Sequence, residues 1–146
     1  AQRGLEIRFI ELMPMGPLAA SWKERFLPER QMRLRLNSLV ASWHALPMKT
    51  SPARRYQATL VDGRQVTIGF IMPMSEPFCG RCDRIRIAAD GMFYPCLMGS
   101  PAGNLMPTIR PAFDPNAFNA LLGNWLQHRA PKHPAAGAAI MTYIGG

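Results

Sequence analysis

Three cysteines, Cys79, Cys82 and Cys96, stand in a C-x2-C-x13-C pattern within FCGRCDRIRIAADGMFYPCL, residues 78–97, and the chain has no others. Three thiols suit a disulfide framework poorly, since one is left over. C-x2-C spacing in a loop beside Pro77 points instead to metal binding in a reducing compartment. A structural zinc ion wants a fourth ligand. The sequence offers no second C-x2-C, and His44, His128 and His133 do not stand at a familiar finger spacing. An iron–sulfur cluster fits three thiolates better, because its fourth iron can stay open and bind another molecule. Directly after Cys82 come Arg84 and Arg86, two apart in the strand-like run RIRIA. Side chains two apart on a strand emerge on one face. Two guanidinium groups there form a clamp for phosphate through bidentate hydrogen bonds. The plain alternative is a solvated strand face.

Seventeen Lys and Arg against nine Asp and Glu give a net charge of +8. That balance suits a polyanionic partner, either nucleic acid or a phosphorylated small molecule, and a merely basic surface explains it equally well. With 146 residues, 48% of them hydrophobic and 18% charged, the chain can bury a core and reads as about one globular domain. The opening AQRGLEIRFIELM lacks the basic and apolar regions of a signal peptide. No apolar run approaches the roughly 20 residues of a membrane span. A cytoplasmic protein without a membrane partner is expected. The chain begins at Ala1 and enters a strand almost at once, so it reads as a fragment of a longer protein.

The elements that must position these residues follow from periodicity. EIRFIEL, residues 6–12, reads as a strand with interleaved charges. A segment with Trp22, Phe26 and Pro28 reads as irregular or as one helical turn. In ERQMRLRLNSLVASWHAL, Met32, Leu36, Leu39, Val40, Trp43 and Leu46 recur at three- and four-residue intervals, which predicts one amphipathic helix ended by Pro47. RRYQATLVDGRQVTIGFIM is a hairpin around Asp62-Gly63, and RIRIA with MFYPCL a second around Asp90-Gly91. Pro95 limits the last of these strands to an edge or a bend before Cys96. Residues 98–107 read as loop. Asp114 as N-cap and Pro115 at the first position open a helix to about Arg129, with Phe118, Leu121, Leu122, Trp125 and Leu126 as its buried stripe. Residues 130–139 are a linker, followed by an apolar tail.

On IRFIELMP, SPARRY, GFIMP, FCGRCDRIRIAADG, CL and the closing TYIGG, the chain resembles the radical S-adenosylmethionine GTP 3′,8-cyclases of molybdenum cofactor biosynthesis (MoaA type) from end to end. The resemblance implies that Cys79, Cys82 and Cys96 bind a [4Fe-4S] cluster whose open iron contacts GTP. It implies that Arg84, Ile85 and Arg86 contact GTP, that Arg8 is an active-site arginine on a barrel strand, and that Met13 lies against S-adenosylmethionine. Met13 also follows a predicted strand, where barrel enzymes build their sites; an ordinary core methionine is the competing reading. Gly145 and Gly146 match a terminal Gly-Gly that reaches into the active site, as against a frayed terminus.

The implied architecture is an α/β (α+β) fragment: the end of an incomplete TIM-type barrel, then a cap with β-hairpins, a terminal helix and an extended tail. Residues 1–16 would be the last barrel strand region, 17–129 the cluster-bearing cap, and 130–146 the linker and tail. The implied reaction has S-adenosylmethionine cleaved to a 5′-deoxyadenosyl radical, which abstracts hydrogen from the GTP ribose before the sugar carbon attacks C8 of guanine. The family's N-terminal CxxxCxxC motif is not among these residues. The chain is therefore expected to need a separate N-terminal radical half, to allow a homodimer, to bind no nucleic acid, and to turn nothing over alone. The competing readings are a small basic zinc module that binds nucleic acid and a non-functional truncated paralogue.

Overall fold

The computed structural model describes residues 5–48, 51–127 and 132–133. They form a mixed α/β structure with two sheets and a few helices, and no barrel closes among them. Of the helices described, none is long and apolar enough to cross a membrane. The chain divides into two compact units, residues 1–13 with 23–78, and residues 14–22 with 79–146.

The first unit is built on a four-stranded sheet of β1 (Glu6–Ile10), β2 (Val40–Ala45), β3 (Arg54–Leu60) and β4 (Gln65–Ile71), in the order β1-β4-β3-β2. Strand β1, read from the sequence as the end of a barrel, pairs in parallel with β4, and the other pairs are antiparallel. Period-2 alternation puts Tyr56 and Ala58 of β3 and Ile68 and Phe70 of β4 into a core shared with Val40 and Met72. Aromatic rings join this core across strands: Phe9 stacks on Phe70 at 5.7 Å, and Tyr56 meets Trp43 edge-on at 5.8 Å.

The single helix predicted over residues 29–46 is two elements. Helix α2 (Glu29–Leu36), preceded by the one-turn α1 (Trp22–Arg25), stops at Asn37, and residues 40–45 are strand β2. The cause is a β-bulge. Val40 pairs with Leu60 and Ser42 with Thr59, so one extra residue lies between them on β2. Val40 and Trp43 therefore reach the same face as Ala58 and Leu60 although they are three apart. A bulge has reproduced the spacing of a helix. Met32 and Leu36 of α2 pack on this core, and the Arg33 guanidinium lies 4.9 Å from the Trp43 ring and 4.8 Å from that of Tyr56.

Glu11, read from sequence as one of the interleaved charges, is 1% exposed. Its Oε1 accepts the N–H of Glu29 at 3.2 Å and the hydroxyl of Ser75; its Oε2 accepts the N–H groups of Met74 at 3.1 Å and Ser75 at 2.9 Å. Pro28 stands at the N-cap of α2 without a side-chain cap. Glu11 supplies the missing acceptor, with its charge at the positive end of the helix.

On the sheet face away from the core, Glu6 lies between two arginines. Its Oε1 accepts from Arg8 Nε at 2.6 Å and its Oε2 from Arg55 Nε at 2.9 Å.

The second unit carries a three-stranded antiparallel sheet of β5 (Arg86–Ile87), β6 (Met92–Tyr94) and β7 (Gly103–Asn104). The segment predicted as loop over 98–107 thus contains β7 and the start of α3 (Met106–Ile109). A two-residue strand with a glycine gives too short a pattern to read. Helix α4 (Pro115–Gln127) begins as predicted, with Asp114 Oδ1 accepting the N–H groups of Asn116 and Ala117, each at 3.0 Å. Its Trp125 stacks on the fully buried Phe93 at 5.1 Å and lies against Gly103, where an added Cβ would come within 2.3 Å of the indole. Leu126, expected in the buried stripe, is 39% exposed. Arg129 and the linker and tail of 130–146 lie outside the described residues, apart from 132–133.

Two measurements check these contacts. Glu11→Ala should lower unfolding stability in urea by about 3 kcal/mol or more, because three backbone N–H groups and a hydroxyl lose a buried acceptor; Glu11→Gln should recover part of that. A loss under about 1 kcal/mol for Glu11→Ala contradicts the bracing role. The Arg8 hydrogen bond first, and then that of Arg55, hold the Glu6 carboxyl below its ordinary value of 4.5. A depressed folded-state value stabilises above the unfolded-state value and stops doing so as pH falls through the folded one. The stability gap between wild type and Glu6→Gln should therefore hold steady near neutrality and close below about pH 4.5. A gap unchanged down to about pH 3 contradicts it.

Candidate functional site

The cysteines sit around a hairpin whose turn is fixed locally. Gly91 N–H donates to Ala88 O and Ala88 N–H to Met92 O, both at 2.9 Å, with Gly91 at φ +81°. Asp90 Oδ1 accepts the Met92 N–H at 3.0 Å. Only glycine adopts this φ without strain, so Asp-Gly determines where β5 turns back into β6.

That turn sets a register in which Arg86 pairs with Tyr94 and Ile87 with Phe93. Arg84 and Cys96 each lie two residues beyond the Arg86–Tyr94 pair, at the same end of the hairpin. Cys79 and Cys82 bracket a 3-10 turn, Cys79–Arg81, closed by Cys82 N–H to Cys79 O at 3.2 Å. All three cysteines are half-buried and none is in a disulfide. Arg86 is half-buried, Arg84 is exposed, and Ile85 between them is 40% exposed.

The donor set fits a thiolate-held iron–sulfur cluster. It offers three thiols on a short turn and the neighbouring end of one hairpin, with partial burial that limits solvent access. Among the described residues, however, no three His, Cys, Asp or Glu side chains are gathered as a set of ligands. Metal binding and local folding are coupled, and ligand side chains converge as the metal binds. Residues 78–97 contain no histidine that could complete a Cys3His zinc site.

The other predicted residues belong to the first unit or lie outside the described residues. Arg8 is on β1, its side chain 47% exposed, bonded to Glu6. Met13 is half-buried two residues after Glu11, where the chain leaves β1. Gly145 and Gly146 lie outside the described residues. Sequence reasoning missed Glu6, Glu11 and Arg55. Arg55 had a usable signal, since it is out of phase with the core residues Tyr56 and Ala58 and must face the other side of the sheet. Glu11 had none, because a buried acidic residue at a strand end reads like any solvated one.

Comparison with known proteins gives the family. Residues 5–135 match the family model described as Molybdenum Cofactor Synthesis C. The GTP 3',8-cyclase of Alkaliphilus metalliredigens is 36% identical over 148 residues, covering 97% of this chain and 44% of that protein. The GTP 3',8-cyclase of a Synechococcus strain is 36% identical over 156 residues, covering 99% of this chain and 42% of that protein. That of Moorella thermoacetica is 43% identical over 94 residues, covering 64% and 28%. The chain spans less than half the length of these relatives. With its cysteine hairpin and these matches, the chain belongs to the Molybdenum Cofactor Synthesis C family, as the C-terminal part of a MoaA-type protein.

Proposed function

We propose that this chain is the substrate-holding part of a cytoplasmic GTP 3′,8-cyclase, in which Cys79, Cys82 and Cys96 carry an auxiliary [4Fe-4S] cluster and GTP is the ligand. The observation that carries the reading is one hairpin whose register brings Arg84 to the same end as Cys96, directly after the Cys79–Cys82 turn. When bound, such a cluster supplies three thiolate-held irons and one iron with an open coordination position for a substrate atom.

The chain's own residues then bind and orient. Arg84, two residues before the strand β5 and so outside the strand face expected from the sequence, and Arg86, at its first position, hold phosphate oxygens through charge-assisted hydrogen bonds. Ile85 between them contacts the same GTP. Arg8 binds a second polar region of the substrate, and Met13 lies against S-adenosylmethionine. The product is (8S)-3′,8-cyclo-7,8-dihydroguanosine 5′-triphosphate, formed with the radical-generating N-terminal half. Orientation of this kind lowers a barrier by roughly 7–11 kcal/mol in the best-aligned cases. Residues 1–146 contain no CxxxCxxC sequence, so they bind GTP without converting it.

GTP titration of the anaerobically reconstituted chain tests the reading. Replacing Arg84 and Arg86 together by Ala should weaken binding by about tenfold or more, since hydrogen bonds to charged groups are lost. Equal affinity in wild type and double variant contradicts the phosphate role. With S-adenosylmethionine and reductant the chain alone should yield no cyclised nucleotide, and its formation contradicts the division of labour.

A further inference from the structure

The sheet face away from the core of the first unit contains a row of three residues across three strands. Arg8 of β1 is paired with Gly69 of β4, and Gly69 with Arg55 of β3. Both arginines therefore lie on one face, separated by a residue without a side chain. Glu6, two residues before Arg8 and on the same face, fills that space. A Cβ on Gly69 would come within 3.3 Å of Arg8 Cγ and 3.4 Å of Glu6 Oε1.

Arg8 on an edge strand, with 47% of its side chain exposed, has many rotamers to lose when it binds anything. A single i, i+2 carboxylate restrains it little, because an exposed ion pair is weak and the carboxylate itself can turn. Here the carboxylate cannot turn freely. Its Oε2 is held at 2.9 Å by Arg55, whose side chain is only 19% exposed, while Oε1 faces Arg8 Nε at 2.6 Å. The bond to Arg8 runs through Nε, which leaves the outer Nη groups of that guanidinium for an anion.

We infer that Arg55 is a positioning residue for Arg8: through the shared carboxylate of Glu6 it fixes the direction in which Arg8 presents its Nη groups. The inference rests on the proposed function only in taking Arg8 to meet the substrate; the coupling itself is a property of the sheet. An Arg55 serving stability alone would change unfolding without changing the Arg8 side chain in the folded state.

The test is proton exchange at the Arg8 Nε–H in the 15N-labelled chain, the signal being identified by its loss in Arg8→Lys. In wild type the bond to Glu6 slows exchange. Arg55→Gln should speed it by about tenfold, read well below that variant's own melting temperature, because the carboxylate loses its second anchor. Glu6→Gln should speed it at least as much, and Arg55→Lys, which restores charge without the guanidinium fork, should recover only part of the protection. Unchanged Arg8 exchange in Arg55→Gln overturns the inference, as does a rise shared by arginine Nε–H signals throughout the chain. GTP titration of Arg8→Gln is read separately: wild-type affinity there removes Arg8 from the substrate reading and leaves the exchange result standing.

Discussion

Four hydrogen bonds converge on the buried carboxylate of Glu11, and their donors come from Glu29, Met74 and Ser75, residues far from Glu11 and, for Glu29, far from the other two. A carboxylate taken out of water is costly unless its lone pairs are occupied. Here they are, mostly by backbone N–H groups that would themselves be without acceptors. The same contact ends β1, starts α2 and holds the turn after β4. Met13 follows it by two residues, and the segment it fixes at Met74 and Ser75 is the one from which the chain runs to Phe78 and Cys79.

The two hairpins show how little sequence is needed when turn chemistry is strong. Leu60-Val61-Asp62-Gly63 and Ala88-Ala89-Asp90-Gly91 close in the same way. In each, the glycine N–H donates three residues back at 2.9 Å, with glycine φ at +83° and +81°, and the aspartate accepts the N–H two residues on at 3.0 Å. One hairpin builds the core of the first unit. The other sets the register that brings Arg84 and Cys96 to one end of the hairpin. A one-residue slip in that register would send Arg86 to the opposite face.

Much of this was legible in the residues. Asp-Gly turns, the Asp114-Pro115 start of α4, strand β1 and the C-x2-C turn each carry their own local cause. The failures have local causes too. The bulge in β2 made Val40 and Trp43 three apart and mimicked a helix, which tertiary pairing with β3 overrode. Strand β7 is two residues long and exists only because β6 offers an edge and Gly103 lets Trp125 lie against it. Glu11 and the Glu6 bridge depend on contacts between residues distant in sequence, and no single-sequence pattern contains them. At the candidate site, the identity and order of the cysteines and arginines could be read directly. Their shared end of one hairpin needed the register.

The central claim is that Cys79, Cys82 and Cys96 hold an iron–sulfur cluster with one iron left for substrate, and the reading that competes with it is a small basic zinc module. Iron, sulfide and zinc analysis of the anaerobically purified chain separates them most directly. About four iron and four sulfide per chain, lost together in Cys82→Ala, are expected for a cluster of this type. About one zinc and no iron contradicts the claim.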